Sequence, residues 1–175
     1  MRPVFETDRL LMRMWEPSDA AALFDIYSRW EVARWLGSTP KAMESMQEAE
    51  RAAARLSTPR EDPTYGMWAV CLRDALDKPV GSVLLVPVPE SSDGAIEVGW
   101  HFHPDAWGHG YATESAAGAL QRGWDAGLER IIAITYPGNE PSQAVCRRLG
   151  MVHRGPTTEY YGIEAELFTL DRPVD

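Results

Sequence analysis

Gly108 and Gly110 stand one residue apart between an alternating strand and a helix start, in residues 96–114, IEVGWHFHPDAWGHGYATE. Glycine lets a backbone curl and lets a ligand approach closely. The first turn of the helix that follows leaves several N–H groups without intrahelical partners. Together with the helix dipole they form an anion site suited to a pyrophosphate. Trp107, Gly108, His109, Gly110, Tyr111 and Ala112 are the residues of that loop. A Gly-x-Gly pair alone usually marks only a turn, so the elements around it must carry the argument.

Titratable groups lie just before the loop. Side chains alternate in a strand, so Ile96, Val98, Trp100 and Phe102 share an apolar face while Glu97, Gly99, His101 and His103 share the other. That second face can line a cleft. Downstream, residues 130–136, RIIAITY, are apolar on both faces, as expected of a central strand covered by helices on each side. This strand follows a strand and a helix, and a right-handed crossover makes it parallel to the first. Asn139 then reads as an N-cap, with Pro141 in the first turn and Gly150 closing the helix.

The elements before and after follow from the same rules. A strand over 7–15 leads into a helix start at Glu16-Pro17-Ser18-Asp19, with Leu23, Phe24 and Tyr27 at helical spacing. A short helix over 30–35 and a third over 41–56 come next, the latter offering Met46, Ala49, Ala53 and Leu56 to the core. Residues 65–73 and 79–88 read as a hairpin, a helix spans 110–126, and strands over 151–160 and 163–170 finish the chain. The fold class is α/β (α+β): a mixed, mainly antiparallel sheet with helices on both faces. The early and late strands pair without helical crossovers, which argues against a doubly wound dinucleotide fold.

The chain has 175 residues, which suits one domain over residues 1–175. Its net charge of -9 argues against nucleic acid and favours a cationic partner. Cys71 and Cys146 form no Cys-x-x-Cys pair, and neither zinc nor redox chemistry is expected. No apolar run approaches the roughly 20 residues of a membrane span, and the N-terminus opens no signal peptide. A cytoplasmic protein without metal is the expectation, as monomer or homodimer.

The order of these elements, with residues 107–114 (WGHGYATE) after the fourth strand, Asn139-x-x-Ser142, Leu149-Gly150-Met151 and the opening residues 6–10 (ETDRL), resembles the GNAT N-acetyltransferases. The resemblance is greatest to the RimJ/RimL-like branch, which acetylates ribosomal-protein N-termini, and it spans nearly the whole chain. It implies a splayed central parallel strand pair with acetyl-CoA between the strands as cosubstrate. The loop 107–112 would hold the pyrophosphate by backbone amides. Phe102 and His103 would flank the pantetheine arm, and Asn139 and Ser142 would contact it.

The implied reaction moves an acetyl group to a primary amine by direct attack on the thioester. A lysine amine must spend roughly 4–5 kcal/mol on deprotonation at pH 7, whereas an α-amine near 7.8 needs about 1. A carboxylate base therefore suits a protein or peptide N-terminal α-amine best. Glu159 resembles the base position of the RimL-like branch and is placed first, with Glu97 as its competitor and His101 as a further candidate. Ser142 resembles the residue that protonates the leaving thiolate, and Tyr136 is the alternative hydroxyl. Arg147 and Arg148 are near enough in sequence to reach a 3′-phosphate. The acceptor pocket is expected between the first two helices and the last hairpin, where Trp30, Trp35, Tyr160 and Tyr161 fall. A polyamine or aminoglycoside acetyltransferase is the alternative, and a catalytically silent CoA-binding module is the other.

Overall fold

The computed structural model describes residues 3–174. Eight strands form one sheet: β1 (Pro3–Glu6), β2 (Leu10–Arg13), β3 (Gly66–Leu72), β4 (Ala75–Pro87), β5 (Ile96–Phe102), β6 (Arg130–Thr135), β7 (Val152–Thr157) and β8 (Ala165–Asp171). Their order is β1-β2-β3-β4-β5-β6-β8-β7, with β8 inserted between β6 and β7. Every neighbouring pair is antiparallel except β5 and β6. The helices are α1 (Ala20–Tyr27), α2 (Trp30–Ala33), α3 (Met46–Leu56), α4 (Tyr111–Asp125) and α5 (Glu140–Arg148).

Alternation along the strands sends neighbouring residues to opposite faces. Trp68 and Val70 of β3 join Val83 and Leu85 of β4, Ala116, Ala119 and Trp124 of α4 and Cys146 of α5 in one core. Ala69, between Trp68 and Val70, faces the other way and packs with Trp15, Leu23, Ile26, Ala49 and Ala53 beneath α1 and α3. Helices therefore cover both faces, as the apolar patterning predicts. Cys71 and Cys146 are buried free thiols. Among the described residues no helix is long and apolar enough to cross a membrane.

The strand expected over 7–15 is present as the shorter β2, and an unexpected strand, β1, precedes it to make a hairpin. The backbone turns at Thr7, whose N–H donates to the Leu10 carbonyl at 2.9 Å, so β1 returns along β2. The third helix starts at Met46, later than the expected 41, because Ser45 caps it by accepting from the Glu48 N–H. A side-chain cap fixes a helix start more firmly than apolar spacing does. Met46 is consequently at the first position and stays 41% exposed, outside the core assigned to it.

The feature that shapes the site is the meeting of β5 and β6. These strands share one paired position, Glu97 with Ile132, and then diverge. Past that point β5 still pairs with β4 and β6 with β8, while their facing edges have no strand between them. Backbone groups on such edges remain free to pair with an inserted chain-like ligand.

Candidate active site

The divergence of β5 and β6 opens a cavity of about 1020 Å³. Glu97, Gly99, His101 and Phe102 line it from β5, residues 133–136 from β6 and its end, and residues 107–113 from the turn into α4. Asn139, Ser142 and Arg148 face it from α5, with Glu31, Arg34 and Trp35 from α2 and its end.

At the turn, Gly108 and Gly110 hold φ of +77° and +80°, a region open to glycine and strained for L side chains. The fold positions the loop through Arg9, from the β1–β2 turn. Its guanidinium donates to the His109 carbonyl at 3.1 Å and lies 5.0 Å from the centre of the Tyr111 ring. It also pairs with Glu114 in the first turn of α4 at 2.6 Å, and Thr7 donates to the same carboxylate at 2.6 Å. Among the described residues, the N–H groups from Gly108 to Ala112 meet no protein acceptor. The hydroxyls of Thr113 and Thr135, both on the cavity wall, are buried without a partner. Buried polar atoms are ordinarily paired, and these two orphans lie in the wall of the cleft.

Trp107 departs from the expected set of phosphate-holding amides, because its N–H donates to the Pro104 carbonyl at 3.0 Å. Its side chain is half exposed, and the indole N–H donates to the Phe102 carbonyl at 2.9 Å, tying the loop to the end of β5. His109 turns its ring onto Tyr111, stacked at 5.3 Å, with Nδ1 2.8 Å from the Trp107 carbonyl. His103 leaves the cavity. The strand ends at Phe102, and the His103 ring turns to Asp25, 3.4 Å away, while its Nδ1 accepts from the Asp105 N–H at 3.1 Å. The alternation that assigned it to the cleft face stops one residue earlier.

Two carboxylates separate clearly. Glu97 faces the cavity and accepts a hydrogen bond from the Tyr161 hydroxyl. Burial pushes its pKa up to about 7, partly offset by that hydrogen bond. Glu159 is exposed on the β7–β8 loop and borders a separate open pocket with Pro137, Thr158 and Glu164. Residues 158–160, expected as strand, form the turn beyond β7, which ends at Thr157, and this carries Glu159 away from the cleft.

His101 also lines the cavity, with Nδ1 3.1 Å from the Tyr27 hydroxyl, which in turn lies 2.7 Å from Ser82. Enclosure by protein pushes its pKa down to about 4. Asn139 is buried, and its side-chain oxygen accepts from the Ser142 N–H at 3.4 Å, so it caps α5. Ser142 is among the residues that line the cavity. Tyr136 donates to the Gly37 carbonyl at 2.6 Å, closing one wall.

Trp35 and Tyr161 line the cavity, but Trp30 and Tyr160 do not. Trp30 is 56% exposed, and Tyr160 is buried with Val88 and Ile132. The Tyr161–Glu97 contact and the Arg9 brace have no counterpart in the sequence reading. They join residues 64 and 100 or more positions apart, and the one local sign was the Tyr-Tyr-Gly turn around residue 161.

A split mixed sheet, a helix start with unpartnered N–H groups and a carboxylate at the point of splitting thus meet in one cleft. Residues 9–152 match the acetyltransferase (GNAT) domain family, and the chain belongs to it. It is an N-acetyltransferase by family. The chain is 29% identical over 164 residues to the uncharacterized N-acetyltransferase YoaA of Bacillus subtilis, covering 91% of this chain and 89% of that one. The fold is shared with the ribosomal-protein-S5-alanine acetyltransferase of Vibrio fischeri (TM-score 0.73, 20% identity, 95% of both chains). It is shared equally with RimL, a ribosomal L7/L12 α-N-protein acetyltransferase solved with coenzyme A (TM-score 0.77, 15% identity, 97% and 98% of the two chains).

Proposed function

We propose that the protein transfers an acetyl group from acetyl-CoA to a primary amine, with a protein or peptide α-amine as the preferred acceptor and Glu97 as the general base. The observation that carries this reading is Glu97 itself: a carboxylate with pKa near 7, at the one point where β5 and β6 still pair.

The residues present suit acetyl-CoA. Free N–H groups of residues 108–112 and the Thr113 hydroxyl meet the pyrophosphate, and the open edges of β5 and β6 meet the amide groups of the pantetheine arm. Arg148, on the cavity wall, is placed for the further phosphate. Acetyl-CoA supplies an activated acyl carbon, and the chain's task is to position it, to free the amine of its proton and to stabilise sulfur as it leaves.

Magnitudes select the base. A general base works best with its pKa near the working pH. Glu97 is half ionised near pH 7, whereas His101, pushed down to about 4, binds a proton too weakly to compete. An α-amine costs about 1 kcal/mol to deprotonate at pH 7 and a lysine roughly 4–5, so Glu97 is better matched to the α-amine. Ser142 is the better partner for sulfur, since the Tyr136 hydroxyl is committed to Gly37. Its hydrogen bond stabilises developing charge. The names of RimL and the Vibrio enzyme support a protein acceptor. Glu31, a second carboxylate among the residues lining the cavity, supports the second reading, a small cationic amine.

Incubation with acetyl-CoA and a panel of peptides, polyamines and aminoglycosides, followed by mass spectrometry, tests the choice. Added acetyl mass on peptide α-amines is expected. Acetylation of aminoglycosides with no peptide product would reverse the ranking. The anion site carries its own prediction: Gly110→Ala places an L residue at φ +80°, costing about 1–2 kcal/mol. The loop relieves that strain by shifting, so the KM for acetyl-CoA should rise roughly 5- to 30-fold, as steady-state kinetics would show.

A further inference from the structure

We propose that Tyr161, carried on the loop between β7 and β8, is a positioning residue that orients the Glu97 carboxylate toward the acceptor amine. The inference rests on reading Glu97 as the base. The Tyr161 hydroxyl donates to Oε2 of Glu97. One carboxylate oxygen is thereby fixed, and Oε1 is left to take the proton as the amine N–H bond breaks and the nitrogen lone pair becomes free to attack.

The loop is built to hold this contact. Tyr161 sits at φ +57°, a conformation that is strained for a non-glycine residue and persists only where the surroundings enforce it. Gly162 continues the turn at φ +64°. Enforcement comes from Tyr160, whose ring is buried between Val88 and Ile132 and whose hydroxyl donates to Asp93 Oδ2 at 3.1 Å. Asp93, in the β4–β5 loop, is held in turn by the Ser91 hydroxyl and the Ala95 N–H at 3.2 Å. Consecutive tyrosines thus divide the work: Tyr160 locks the two loops together over the start of β5, and Tyr161 reaches the carboxylate.

Other ionisable groups share the cavity but do not make this contact. Glu31 and Arg34 come from α2 and its end, Tyr136 from the end of β6, Arg148 from α5, His101 from β5 itself, and His109 and Tyr111 from the turn into α4. Among the described residues, Tyr161 alone hydrogen-bonds the Glu97 side chain. A hydrogen bond to the ionised carboxylate favours that form, which opposes the effect of burial.

The test is the pH dependence of kcat/KM for wild type, Tyr161→Phe and Glu97→Gln, with Asp93→Asn as a variant that loosens the loop while keeping the Tyr161 hydroxyl. Tyr161→Phe should move the acidic limb to higher pH, giving about a five- to tenfold loss at pH 6.5 that closes by pH 9. Asp93→Asn should shift the limb in the same direction by less. A loss that is uniform across pH, or an unmoved limb, while Glu97→Gln abolishes the limb, would overturn the role of Tyr161 and leave the base in place. Wild-type activity in Glu97→Gln would remove the base reading itself.

Discussion

Glu97→Gln should lower kcat/KM by about 10²- to 10⁴-fold, the usual contribution of a positioned general base. The wild-type rate should rise with pH through about 7, because burial holds the Glu97 carboxyl protonated below that value and only the ionised form accepts the amine proton. The glutamine variant keeps a carbonyl oxygen for the Tyr161 hydroxyl but has no site for the proton, so the limb should vanish. Stability should move the opposite way. Folding raises this carboxyl's pKa from 4.5, so ionised Glu97 weakens the fold as pH rises from about 4.5 to 7. Glu97→Gln should therefore match wild type in thermal unfolding at pH 4 and exceed it at pH 8. Equal stability at both pH values would mean that the carboxylate is not enclosed as described.

Asp19→Ala should be among the most damaging changes for stability, at about 3–5 kcal/mol. Arg13 and Asp19 are 2% and 5% exposed and meet in a bidentate pair at 2.6 and 2.9 Å. The Asp19 carboxylate also accepts the Glu16 N–H at 2.7 Å, closing the turn before α1, and Arg13 donates to the Met14 carbonyl at 3.0 Å. Its side-chain hydrogen bond with Asp19 raises the Arg13 pKa further, so the guanidinium stays charged. Removing the carboxylate leaves that charge buried with only the Met14 and Leu76 carbonyls as acceptors. For a chain of this length the loss corresponds to a melting temperature lower by roughly 6–20 °C. Differential scanning measurements would check it, and a shift under 2 °C would mean that water reaches the pair.

The half of the cleft proposed for the cofactor was legible as geometry in the sequence because its determinants are local. Strand alternation placed Glu97 and His101 on one face, two glycines at positive φ marked the turn, and Asn139 announced the helix that ends near Gly150. The mixed sheet with covering helices followed from periodicity and from the crossover between β5 and β6. The acceptor half was not legible to the same degree. Whether Glu97 or Glu159 faces the cleft depends on where β7 ends, and Thr157 and the turn after it settle that through backbone geometry that no apolar pattern encodes. His103 shows the same limit from the other side, since one residue past the strand the alternation no longer holds. The Arg13–Asp19 pair joins a strand to a helix start through two charged residues that composition alone assigns to the surface. Tyr161 on Glu97 is a contact across 64 positions, visible only once both loops are folded over β5.

Calorimetric titration of the protein with acetyl-CoA, wild type beside Gly110→Ala, addresses the cleft most directly. Saturable one-to-one binding by the wild type, weakened in the variant, is the predicted result. No heat of binding up to millimolar acetyl-CoA would contradict the assignment of the split between β5 and β6 as the acetyl-donor site.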